Sequence, residues 1–179
     1  FQPLDWLGLL AGLHQGFSPV TPGQPDEVRP ELSLNFEGGV RAAIDEIQAD
    51  VVAFFSDYSN LSGECTFSSG CSEAFLNQQF NGGQAHVYGV EASVRSDIPT
   101  PLELHFPITA AYTWTQTRLL TPFTSANPQL ATVEAGDELP YVPPHQLAGT
   151  VGAIYPDWAG LEFSVTWIDR MREAAGQGD

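Results

Sequence analysis

The residues best equipped for chemistry are two cysteines, four histidines and a large excess of carboxylates, and their spacing argues against catalysis. Cys65 and Cys71 close the segment CTFSSGC. In an oxidising compartment such a pair forms a small ring, contributing roughly 2 kcal/mol in the chain-entropy account. A zinc site would need two more ligands, and none of His14, His86, His105 or His145 lies close in sequence. The spacing therefore favours a disulfide. The histidines fall in different segments, and there is no G-x-S-x-G elbow, no H-E-x-x-H pair and no phosphate-cradling glycine loop. No catalytic residue, metal site or cofactor is expected.

Charge narrows the field further. Six arginines, no lysine and 22 acidic residues give a formal net charge of −16. Nucleic acid is excluded as a partner, because phosphate recognition needs a basic face. The acidic excess reads either as a field that concentrates cations or as a solvated acidic surface. Arg41 and Arg95 lie near short connections and are expected to pair with Glu37 and Glu91. Arg29, Arg118, Arg170 and Arg172 lie near long ones, where the guanidinium fork suits a carboxylate or phosphate; ordinary salt bridges are the competing reading.

The elements that must carry these residues are strands. In LELHFPITAAYTW, Leu102, Leu104, Phe106, Ile108, Ala110, Tyr112 and Trp114 share one parity, while Glu103, His105, Thr109 and Thr113 take the other. Steps of two turn about 200° on a helix and would scatter those apolar positions around it, so the pattern is a strand with two unlike faces. Leu32, Leu34, Phe36, Gly38 and Val40 alternate with Glu31, Ser33, Asn35, Glu37 and Gly39. Similar alternation covers 86–95 and 161–167, and weaker instances cover 4–17, 47–59 and 145–155. Seven strands are expected. Pro107 is awkward inside a paired strand because it lacks an N–H, a difficulty that disappears if the strand begins near it.

The connections alternate between long and short. Ser18 to Pro30, the segment up to Gly83, and Leu119 to Pro144 are long; AIDE, SDIPTP and PDWAG are short. A meander with long loops at one end and tight turns at the other is the layout of an outer-membrane barrel. No apolar run approaches the ~20 residues of a spanning helix. Tyr112, Trp114, Tyr155, Trp158 and Trp167 stand near strand ends, where barrels place aromatic girdles. The fold class expected is all-β, an antiparallel up-and-down transmembrane β-barrel, present as a partial barrel of about seven strands.

At this point the residues carry a resemblance. AGLHQGFSP, PELSLNFEGGVR, FFSDYSNL, NGGQAHVYGVE, AYTWT and GDELPYVPPHQL resemble successive barrel segments of TonB-dependent outer-membrane receptors, nearest to the ferric-citrate/siderophore branch. The resemblance spans nearly the whole chain. It implies a 22-stranded barrel closed by an N-terminal plug, importing a metal chelate with energy delivered through TonB by way of the N-terminal region. Plug, energy-coupling box and an aromatic last residue are not found between Phe1 and Asp179, so residues 1–179 are expected to be a fragment of the barrel domain. Seven strands cannot close such a wall, and open edges are not tolerated in hydrocarbon.

The function so implied is an outer-membrane receptor for a siderophore or ferric citrate, in contact with outer-membrane lipid and lipopolysaccharide. Its ligand contacts are expected at the outer rim: Phe17, Arg29, Tyr58, Asn60, Arg118 and the loop closed by Cys65 and Cys71. The alternatives are a soluble secreted β-sandwich binding module and a passive outer-membrane diffusion channel. A membrane-embedded hydrolase is a more distant one.

Overall fold

The computed structural model describes residues 1–155 and 158–177. Pro156 and Asp157, the first two residues of the expected PDWAG turn, lie outside the described residues, as do Gly178 and Asp179. The strands in chain order are β1 Leu7–Ser18, β2 Glu31–Ile44, β3 Ile47–Tyr58, β4 Ser62–Glu64, β5 Gln79–Asn81, β6 Ala85–Pro99, β7 His105–Leu119, β8 Phe123–Thr124, β9 Thr132–Val133, β10 His145–Tyr155 and β11 Ala159–Ile168. Seven form one antiparallel meander in the order β1-β2-β3-β6-β7-β10-β11, while β4-β5 and β8-β9 are small pairs within the long loops. Single 3₁₀ turns at Glu73–Phe75 and Pro128–Leu130 are the helical content of the described residues. The seven strands run 10 to 15 residues, enough for the 9 to 11 that a tilted spanning strand needs.

Register sorts the side chains onto two faces. Phe36 stands opposite Phe55 and Phe55 opposite Tyr88; Val40 is opposite Val51 and Val51 opposite Ala92, which faces Tyr112, then Leu147 and Trp167. Through its middle rows this face is apolar from edge to edge. The other carries Glu37, Asp50, Ser93, Arg95, Thr109, Thr150 and Ser164. Val52 and Phe54 of β3 also lie on the polar face, which explains the imperfect alternation over 47–59. Phe54 lies over Gly89, where an added Cβ would come 2.0 Å from the Trp114 carbonyl oxygen and 2.8 Å from the Phe54 ring. The glycine therefore admits both the close backbone approach and the aromatic cover.

The expected strand at 102–114 is displaced. Residues 100 to 104 form a turn, with the Thr100 and Leu104 main chains bonded, Glu103 at φ 60 and Leu102 77% exposed. The strand starts at His105 and continues to Leu119. Pro107 falls near its beginning, opposite Asp97, and the β7–β10 ladder has no partners for Phe106 and Pro107. The missing N–H is thus tolerated at a gap in the ladder. Gly152 fits beside the proline ring, whose Cγ would lie 2.9 Å from an added Cβ.

A soluble sandwich is ruled out by where burial occurs. The buried apolar residues are Cys65, Cys71, Ala85, Leu119 and Val133, all at the long-loop end. Among the described residues no second sheet covers the apolar face, which leaves Leu13, Phe36, Val51, Leu147 and Phe163 exposed. An uncovered apolar surface of this extent marks a membrane or a large partner. Among the described residues no helix is long and apolar enough to cross a membrane.

Candidate ligand-capture rim

The long loops fold over the polar face of the sheet. Tyr58, Ala85 and Leu119 stand in one cross-strand row on that face. Ala85 and Leu119 join Val133 in a buried cluster against which Tyr58, Leu61, Phe123, Leu130, Leu139 and Ala175 pack. The Thr117 hydroxyl accepts the Leu139 N–H at 2.8 Å. The Glu31 carboxylate accepts the Ser62 N–H at 2.8 Å and its hydroxyl at 3.2 Å. Further along, Asn81 accepts from the Arg29 N–H and donates to the Arg29 carbonyl, while Gln24 accepts the Gln79 N–H and donates to the Asn77 carbonyl. Each contact ties a loop to its neighbour or to a strand end, so the rim is a packed layer.

Cys65 and Cys71 form the disulfide expected, with Cα atoms 5.7 Å apart, within bridging range. The expected arginine pairs do not form. Arg41 bonds Asp50 directly across the sheet at 2.5 Å, and Arg95 makes no ion pair among the described residues. Positions i and i+4 on a strand lie about 13 Å apart, whereas cross-strand neighbours lie about 5 Å apart. Arg41 and Glu37 are related by the first spacing, and Arg41 and Asp50 by the second. The histidines also reach across strands: His86 lies 3.6 Å from Asp57 directly opposite, whereas His14, 3.7 Å from Glu37, His105, 3.2 Å from Asp97, and His145, whose Nδ1 lies 2.8 Å from the Tyr112 hydroxyl, meet diagonal neighbours.

The five expected rim residues are not brought into one pocket. Phe17 shares the apolar face with Leu32 and is 65% exposed. Arg118 lies on the same face, in a row with His86 and Asp57. Tyr58 packs into the loop core. Arg29 is exposed and Asn60 half-buried, both in the loop layer. Other residues missed in the sequence shape the rim. Glu138 accepts from Gln116 at 2.8 Å and from Arg172 Nε at 3.0 Å, beside a cavity of about 460 Å³ lined also by Val142, Pro144, Arg170 and Met171. On the polar face below, a cavity of about 620 Å³ is lined by His14, Asn35, Glu37, Phe54, Ser56 and Glu91. Asn127 is buried, and its position before Pro128 was the available signal, since such a pair opens turns.

One apolar face, one polar face and a loop layer at a single end define the wall of a transmembrane β-barrel with its mouth. The chain belongs to the TonB-dependent receptor-like β-barrel family, whose model matches residues 1–179, and it is therefore an outer-membrane protein. A crystal structure of a mutant ferric enterobactin receptor from Pseudomonas aeruginosa is similar in fold, with a TM-score of 0.63 and 18% identity over 99% of this chain. The chain spans 28% of that receptor's length. No curated protein sequence matches this one. In this setting the apolar face meets lipid, the polar face lines the lumen, and the packed loops overhang the mouth.

Proposed function

We propose that this chain is part of the wall and outer rim of a receptor that captures an iron chelate, of the siderophore or ferric-citrate type, and imports it with energy delivered through TonB. The observation that carries the reading is the inward fold of the long loops over the lumen face, anchored by the row Tyr58, Ala85 and Leu119. A passive pore needs an open mouth, whereas a receptor needs a surface above its channel. Arg29 and Asn60 are the proposed ligand contacts within that layer. Arg118 and Phe17, on the outer face, are proposed to meet lipopolysaccharide phosphate and acyl chains.

The test expresses the full-length receptor in cells stripped of their own ferric receptors, with and without TonB. Uptake of radioactive iron is followed from a ferric catecholate, a ferric hydroxamate and ferric citrate. Saturable uptake of one of them, lost without TonB, is the expected result. Non-saturable uptake independent of TonB would instead identify a diffusion channel. Uptake of none would remove the iron-chelate reading.

A further inference from the structure

The two longest loops, 59–84 and 120–144, belong to different strand pairs, and they meet at the disulfide. Cys65 and Cys71 are 1% and 7% exposed. The Cys71 Sγ lies 3.7 Å from the Ala126 carbonyl, and Asn127 Nδ2 donates to the Glu64 carbonyl at 3.5 Å. A Cβ on Gly70 would lie 3.6 Å from Pro128 Cγ. Asn127 is itself 5% exposed, and its Oδ1 accepts the Gln129 N–H, fixing the 3₁₀ turn of the second loop.

The ring closed by the disulfide has ample hydrogen bonds of its own. The Thr66 N–H donates to Ser69 Oγ, the Ser69 N–H to Thr66 Oγ1, and the Cys71 N–H to the Thr66 carbonyl. Cross-linking a short segment removes less chain entropy than closing a long one. The ring therefore gains less from the bond than a long loop would, while its buried sulfurs form the seam with the other loop. We propose that Cys65–Cys71 is a clasp between loops: it presents a fixed surface on which residues 123–133 fold, so that the two loops make one pre-formed cap over the mouth, released as a unit when the bond is broken. The motion that admits a solute then belongs to elements outside this cap.

Hydrogen exchange on the purified full-length receptor in detergent micelles tests this without any ligand. In C65A/C71A, peptides covering 61–82 and 123–133 should both exchange about tenfold faster, while β6 and β7 stay unchanged. N127A, with the disulfide intact, should also accelerate 61–82. Should the cysteine variant fail to assemble, reduction of the assembled wild-type receptor by a phosphine gives the same comparison. Acceleration confined to 61–82 on loss of the disulfide would overturn the proposal, as would an N127A receptor whose 61–82 segment is unaffected.

Discussion

At the scale of single residues, the sheet is specified by where bulk is forbidden. Gly89 admits the Trp114 carbonyl on one side and the Phe54 ring on the other. G89A in the full-length receptor should cost about 1–3 kcal/mol through overpacking, measured by urea unfolding in micelles; a change below a few tenths would mean the approach is not that close. Gly152 and Pro107 form a second such pair. G152A alone should destabilise and G152A in a P107A background should not, a coupling of about 1 kcal/mol in a double-mutant cycle. Additive effects would show that the ring is not the obstacle. The Arg41–Asp50 pair is half in water, with side chains 62% and 29% exposed, so its coupling should stay below about 1 kcal/mol. Arg41 and Glu37 should show none.

At the scale of elements, parity carried most of the information. The seven strands and their two faces follow from alternation at Phe36, Phe55, Ala110 and Tyr112, because a residue on a membrane strand has only lipid or lumen to face. Boundaries followed less well: Leu102 continued the apolar parity but belongs to a turn, since the Thr100–Leu104 contact, not hydropathy, starts β7. The rim was barely legible. Glu138, Asn127 and the row Tyr58, Ala85 and Leu119 are united by contacts between loops distant in sequence, and no local pattern encodes those. The faces make a sharp prediction for two adjacent residues. Ala110→Arg, on the lipid side, should cost about 2–4 kcal/mol, while Ala111→Arg, on the lumen side between Ser93 and Ala148, should be nearly neutral. Equal costs in micelle unfolding would contradict the assignment.

At the scale of the whole molecule, stability cannot come from a core running through the sheet, because the buried apolar side chains all lie at the long-loop end. The sheet is held by its hydrogen-bonded ladders and by lipid against one face, and the outer edges of β1 and β11 pair with no other strand among the described residues. Residues 1–179 expressed alone should therefore show no cooperative melt in plain buffer, and a sharp transition followed by circular dichroism would refute this. The most direct test of the account is a nitroxide scan of positions 108 to 115 in β7 of the full-length receptor, in native outer membranes. Even positions should be accessible to oxygen dissolved in lipid and odd ones to a water-soluble nickel chelate, alternating residue by residue. Loss of that two-residue period, or equal access of the nickel chelate to both sets, would contradict the lipid-facing wall on which the whole assignment stands.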